Sequence, residues 1–478
     1  MSRRLRLFCL LPLLGGCTVG PDFHPPAVVA PSVWGKEKPG VSSTTSTAPI
    51  DPDWWNSFHD LELTALVDRL VRENLSLREA TERIVEGRAA RRIAAAQGLP
   101  QLNEQSHLFH QRMSPAGLLS LITPAPNAPL DYDDWSNGIQ ATWELDLFGR
   151  VRRQVEAQTA QLQAQVEDRR AIALAALSEL AQDYMQLRGI QARLAIARAT
   201  LALAERNTEL VRNRFANGVA TTLDLAQARG QQAGIAATVA PLETQQAAAI
   251  NAIGLLLALP PRSLEAELGT PAPVPAIPAL IPIGLPGTLA RRRPDVREAE
   301  AKLHAATAET GVAVADFYPD ISLTGLVGAD GRMAANAFSL PARMYQVGPQ
   351  ISIPIFQGGQ LRGRLQLRRA QQREAALDFQ QVVLRAWTEV DDALTALNDA
   401  QRAREQILVS VEQDQAALDA ARQRYTQGAS DFLNVVSAEA ALLSARNQLA
   451  GSDTELATDL VSLYRALGGG WEAAEPGR

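Results

Sequence analysis

The chain has 478 residues, with 46 Lys+Arg against 52 Asp+Glu, five histidines and two cysteines. That length calls for two or more structural units, and the slight acidic excess leaves no basic footprint for nucleic acid. Cys9 falls inside the N-terminal leader described next, so the mature chain keeps one thiol, which excludes an internal disulfide framework and a multi-cysteine zinc site.

The opening residues place Arg3, Arg4 and Arg6 before the apolar run Leu7 to Leu14, followed by Gly15, Gly16 and Cys17. This is a charged n-region, a short h-region and a small-residue cleavage site, so residues 1–16 are expected to be a signal peptide. The run is too short to cross a hydrocarbon layer of about 30 Å, which takes about 20 apolar residues in a helix. Leu14-Gly15-Gly16-Cys17 resembles a bacterial lipobox, which implies cleavage before Cys17 and lipidation of that cysteine; the bland alternative is an ordinary cleavage site close by. Thr18, where an aspartate would resemble inner-membrane retention, resembles outer-membrane sorting instead. Residues 17–60 are expected to form an extended, lipid-anchored segment.

From residue 61 the chain reads as one unit written twice, repeat 1 over 61–259 and repeat 2 over 287–468. A shift of 219 residues superposes Leu77-Arg78-Glu79-Ala80 on Val296-Arg297-Glu298-Ala299 and Pro100 on Pro319; after an 11-residue loss in the loop beyond Leu102, a shift of 210 superposes Arg214-Phe215-Ala216-Asn217-Gly218 on Arg424-Tyr425-Thr426-Gln427-Gly428 and one of 208 superposes Leu255 on Leu463. Residues 61–97 carry Leu63, Leu66, Leu70, Leu77, Ile84 and Ile93 at helical spacing, matched by 287–316 in the second copy. The period then changes to two. Trp135, Ile139, Ala141, Trp143, Leu145 and Leu147 alternate with polar residues, as do Tyr345, Val347, Ile351, Ile353 and Ile355. Shorter strands are expected at 102–113 and 320–328, so strands occupy about 102–147 and 320–356, four per chain.

After Phe148 a helical pattern runs to Phe215 without proline. Val166, Ala173, Leu180, Leu187, Leu194 and Leu201 make a heptad seam, and Ile190, Ala197, Ala204 and Val211 a second, so helix packs on helix. The helices of repeat 1 are expected over about 150–258 and those of repeat 2 over about 360–467, each a long antiparallel hairpin. Gly218 and Gly428 close the two hairpin turns, with Thr222 or Ser430 available to cap the helix that follows. Residues 260–286 hold eight of the 28 prolines and form an extended connector; residues 469–478 are a tail. The small seam residues bury little area, and four strands do not close a barrel, which takes about eight or more. Both shortfalls point to a homo-oligomer, and three chains would supply twelve strands.

Cys17-Thr18-Val19-Gly20-Pro21-Asp22-Phe23, Trp54-Trp55 with Phe58 and Asp60, Arg292-Arg293-Pro294-Asp295-Val296, Phe317-Tyr318-Pro319 and Ala466-Leu467-Gly468-Gly469-Gly470-Trp471 occur in that order. Together with the repeat they resemble the lipoprotein branch of TolC-type outer-membrane efflux ducts, the OprM or NodT group. The resemblance implies a mixed, mainly α fold: a periplasmic α-barrel of long helical hairpins and a trimeric outer-membrane β-barrel to which each chain gives four strands. It implies a passive duct of a tripartite efflux system, lipid-anchored in the outer membrane of a Gram-negative bacterium. Its partners would be two further copies, a periplasmic adaptor, an inner-membrane pump and membrane lipid, with no cofactor. It places the two hairpin turns at the periplasmic tip, where Asp224 and Tyr425 match an acid and a tyrosine of a latch and Leu433 matches an apolar gate ring. Asn434 and Ser437 stand where relatives carry acids, and Ser430 where one carries a basic latch partner, which implies closure with less charge.

Other functions compete. A lipid-anchored periplasmic coiled-coil spacer would not use strands with one apolar face, and a duct for secreted polypeptides would share the fold. A lipid-anchored enzyme would need a convergent catalytic set. The sequence has no Walker loop, Rossmann fingerprint or Gly-x-Ser-x-Gly elbow. His107 and His110, three apart on a strand, are expected on opposite faces, unsuited to one metal. Arg291-Arg292-Arg293 reads as either an anion patch or, more simply, the start of a helix at Pro294.

Overall fold

A computed structural model of the chain describes residues 18–27, 30, 31, 34, 43–114, 131–331 and 339–475; Cys17 and residues 1–16 lie outside the described residues. In chain order the elements are β1 (Thr44–Ser46), a 3-10 turn (Trp54–Phe58), α1 (Leu61–Glu73), α2 (Leu75–Ala96), β2 (Gln101–Arg112), β3 (Asp131–Glu144), α3 (Arg150–Ala216) and α4 (Thr222–Leu256). The second half continues with α5 (Glu265–Leu268), β4 (Leu280–Pro282), α6 (Pro286–Arg292), α7 (Pro294–Ala315), β5 (Asp320–Gly331), β6 (Arg343–Ser352), α8 (Gln360–Thr426) and α9 (Phe432–Ala466). The repeat is written in the element lengths. Helices α3 and α8 have 67 residues each, α4 and α9 have 35 each.

Two expected helices are each divided. Residues 61–97 break at Asn74, whose backbone turns extended (φ −59°, ψ 125°). Its side chain accepts from the Leu77 N–H at 3.0 Å, capping α2, while its amide donates to the Leu256 carbonyl at 2.8 Å. Residues 287–316 break at Arg293, extended at φ −69°, ψ 124°, because the ring of Pro294 disfavours helical geometry in the residue before it.

Contacts gather the described residues into two compact units, one drawn from 18–26, 84–164 and 299–378, the other from 27–83, 165–298 and 379–475. Each unit takes segments from both repeats.

The first unit holds the sheet, an all-antiparallel ribbon in the order β2-β3-β5-β6. Its register puts Leu102 beside Ala141, Leu108 beside Trp135, Ile139 beside Val327, Trp143 beside Leu323, and Val327 beside Tyr345. Because side chains alternate, these residues share one face, and polar residues such as Gln140, Gln346 and Ser322 share the other. The apolar face is open: Tyr345 is 83 %, Val347 73 % and Val327 68 % exposed. His107 and His110 lie on opposite faces, 3.9 Å from Asp134 and 2.8 Å from Asp133 respectively. The N-terminal residues pack where β3 runs into α3. Val19 donates to the Phe148 carbonyl at 3.1 Å, Thr18 abuts Gly149, and the buried Arg153 guanidinium pairs with Asp22 at 2.6 Å.

The second unit holds the hairpins. The expected seam is buried at Ala173, Leu180, Leu187 and Leu194 and at Ala197, Ala204 and Val211. Helices α3 and α9 run antiparallel, joined from Gln182–Ser462 at 3.0 Å to Asn207–Glu439 at 2.6 Å. Sequence strings far apart meet here. Trp54 donates its indole N–H to the Gly469 carbonyl at 3.0 Å and stacks on Tyr464 at 5.0 Å. Arg292 reaches the Ile50 carbonyl at 3.2 Å, and Arg293 donates to the Ala466 carbonyl at 2.9 Å while pairing with Asp295 and Glu389 at 2.7 Å each. These two arginines are bound by the chain's own carbonyls and carboxylates and so form no open anion patch; α7 starts at Pro294, as the simpler reading of the triplet expects, while Arg291 and Arg292 sit in the last turn of α6. Gly470, at φ 112°, has no room for a Cβ against the Trp54 indole.

Candidate functional site

Both hairpin turns end their first helix in the same way. Gly218 sits at φ 73° and Gly428 at φ 71°, the left-handed region that costs a side chain about 1 kcal/mol or more. A Cβ at either would meet nothing within 4 Å, so backbone conformation and not space requires glycine there. Val219 N–H closes on the Arg214 carbonyl, and Ala429 N–H on the Arg424 carbonyl, each at 2.9 Å.

The helices that follow start differently. Thr221, and not Thr222, caps α4, with its hydroxyl accepting from the Asp224 N–H at 3.2 Å. The Asp224 carboxylate reaches back to accept from the Thr221 N–H and hydroxyl, each at 2.8 Å, completing a capping box. Ser430 does not cap α9. Asp431 holds that position with no side-chain bond, and Ser430 accepts from the Asn434 amide at 3.1 Å. Two adjacent hydroxyls are equally eligible by sequence; the residue at which the backbone enters helical geometry decides between them.

Tyr425, half-buried, lies between the turns. Its ring is 4.6 Å from the Arg214 guanidinium and 5.3 Å from the Phe432 ring. Burial raises its phenol above the ordinary value, with Arg214 opposing and the charge of Asp224 adding to the rise. Within one chain Asp224 acts on Tyr425 through the space between them, its Oδ2 being engaged by Thr221. Leu433 is 53 % exposed and Leu223, its counterpart in repeat 1, 63 %. Leu433, Asn434 and Ser437 share the exposed side of α9, whereas Phe432 points inward.

Behind the turns, Val211, Ala228, Leu418, Phe432, Val435 and Leu442 form an apolar cluster from all four helices, and Tyr425 packs against it. Deeper still lies a carboxylate that sequence reasoning missed. Glu439, its side chain 3 % exposed, accepts from Asn207 at 2.6 Å, Arg422 at 2.9 Å and Gln231 at 3.1 Å. The signal was legible: Phe432, Val435, Glu439 and Leu442 form one buried helical stripe, and an acid on such a stripe calls for partners.

Among the described residues, no helix is long and apolar enough to cross a membrane, and no group of three His, Cys, Asp or Glu is placed to hold a metal.

Comparison with known proteins gives one answer at three levels. The family model described as outer membrane efflux protein matches residues 66–259 and 285–469. The cation efflux system protein CusC of Escherichia coli (strain K12) is 30% identical over 470 residues, covering 98% of this chain and 99% of its own. Outer membrane protein OprJ of Pseudomonas aeruginosa is 34% identical over 463 residues, 96% of this chain and 94% of its own. Among solved structures, the outer-membrane channel OprN superposes with a TM-score of 0.87 at 33% identity, over 95% of this chain and 100% of that one.

Proposed function

Because the chain belongs to the outer membrane efflux protein family, whose members are outer-membrane channels, we propose that three copies close one twelve-stranded barrel and form the passive exit duct of a tripartite pump. The observation that carries this reading is the four-stranded sheet, with one exposed apolar face and with β2 and β6 as its two edges. In hydrocarbon every backbone polar group needs a partner, so such a sheet is stable only when its edges are closed. Pairing β2 of one copy with β6 of the next supplies that closure and turns the apolar face to lipid. A coiled-coil spacer has no use for this face.

The duct would take small toxic solutes from an inner-membrane pump through a periplasmic adaptor docked at the hairpin turns, with no catalytic step or cofactor of its own. Lipidation at Cys17 fits the seat of Thr18 and Val19 at the start of α3, beside the base of the sheet. The tip residues Gly218, Asp224, Tyr425, Gly428 and Leu433 would close the entrance. With Asp224 engaged in the capping box and Asn434 and Ser437 uncharged, the exposed Leu433, once in three copies, supplies a water-excluding ring. Single-channel recording tests both parts. Purified protein in a planar bilayer should conduct, Leu433→Ala should leak at rest, and Asp224→Ala with Tyr425→Phe should leak less. Absence of any conductance overturns the duct; a leak from the double variant alone overturns the apolar ring in favour of the polar latch.

A further inference from the structure

We propose that Glu439 is a positioning residue for the closed entrance, holding the α3–α4 and α8–α9 hairpins in register behind the turns, and that it does so through its charge. The inference rests on the duct reading and adds to it a control point that lies outside the tip. Glu439 stands eight residues into α9 beyond Asp431, about 12 Å from the turn at about 1.5 Å per residue. Its partners come one from each of the other three helices: Asn207 from α3, Gln231 from α4 and Arg422 from α8. One carboxylate therefore binds all four helices, and the hairpins cannot slide past each other there without breaking charge-assisted hydrogen bonds.

Two features separate this from ordinary packing. Apolar residues flank the tetrad, with Val435 and Leu442 one turn to either side and Leu418 in the same cluster, so apolar side chains at all four positions would extend that cluster without desolvating a charge. A buried ion pair is a poor stabiliser compared with well-packed apolar residues, and its better use is to specify one arrangement over its neighbours. The arrangement is also unique to one copy of the repeat. The position related to Glu439 by the 210-residue shift is Arg229, which is exposed. The tetrad has one weak side: Arg422 is 33 % exposed whereas Glu439 is 3 %. Water reaches the pair from Arg422, and separation of α8 from α9 would begin there.

The test is resting single-channel conductance in potassium chloride, read beside native mass spectrometry of the same preparation to confirm assembly. Glu439→Gln keeps the shape, removes the charge and turns an amide N–H toward three donors. Resting conductance should rise about tenfold, the loss expected for hydrogen bonds to a charged group, with assembly unchanged. Arg422→Met should leak in the same way. The exchanged pair, Arg422→Glu with Glu439→Arg, should close again, because the amides of Asn207 and Gln231 can turn to accept from a guanidinium. A merely structural role would not be rescued by the exchange. Glu439→Gln at wild-type conductance in an intact assembly overturns the proposal, as does an exchanged pair that leaks like Glu439→Gln. Should Glu439→Gln fail to assemble, Arg422→Met at wild-type conductance overturns it equally. A wild-type protein that never conducts, at any voltage, removes the duct reading itself.

Discussion

Asp183 on α3 and Asp459 on α9 are half-buried acids whose carboxyls are pushed up to about 6, first by burial and then by Glu179 and Glu455 one turn before them. The ordinary value is 3.8, so the folded chain holds protons at these sites over a window in which the unfolded chain has released them. The ionised acids therefore weaken the fold above about pH 6, and the penalty is relieved as the pH falls through that value. Asp183→Asn and Asp459→Asn should each raise the thermal midpoint at about pH 7.5 and leave it nearly unchanged at about pH 3, below the unfolded value. Circular dichroism melts in detergent check this; equal midpoints for variant and wild type at the higher pH would count against it. At this scale the sequence was a partial guide. Gly218 and Gly428 were legible as left-handed turn residues because conformational freedom belongs to the residue itself. That Thr221 and not Thr222 caps α4 and closes a box with Asp224 was not read, because the two hydroxyls are adjacent and only the backbone path chooses between them.

At the scale of elements, the close approach of α3 to α9 depends on Gly189, the only glycine in α3. A Cβ there would lie 2.0 Å from the Thr454 hydroxyl oxygen and 3.0 Å from its Cβ. Alanine favours a helix over glycine by about 1 kcal/mol, but overpacking a tight interface costs about 1–3 kcal/mol. Gly189→Ala should therefore lower the thermal midpoint, and adding Thr454→Ala, which removes the two nearest atoms, should restore part of the loss. A Gly189→Ala variant more stable than wild type would show that the helices separate freely at this level. The heptad seam and the alternating strands were readable from spacing alone, since periods of 3.5 and 2 follow from backbone geometry. The break at Asn74 was not read, and at Arg293 only the helix start at Pro294 was. Asn74 ends α1 through a bond to the distant Leu256 carbonyl, a contact that no local window contains.

At the scale of the molecule, edge strands and anchor belong to one question. The open edges of β2 and β6 and the exposed apolar face call for partners, and the seat of Thr18 against Gly149 puts Thr18 at the end of the same sheet. Native mass spectrometry of detergent-purified protein should give three copies, each beginning at Cys17 and heavier by its acyl groups. A stable monomer that conducts would overturn the shared barrel, and a chain without added mass would overturn lipidation while leaving the barrel standing.

The sequence by itself determined the repeat, the kind and extent of the long elements, the glycine turns and the one-sided strands, because each follows from residue spacing and local conformational preference. Only the tertiary structure decided that the compact units cut across the repeats, that Trp54, Arg292, Arg293 and Gly468 to Gly470 form one knot, and that Glu439 binds four helices. Those outcomes depend on which distant segments come within about 3 Å of one another, and hydrogen-bond geometry at that range is set by packing, which no periodicity along the chain records.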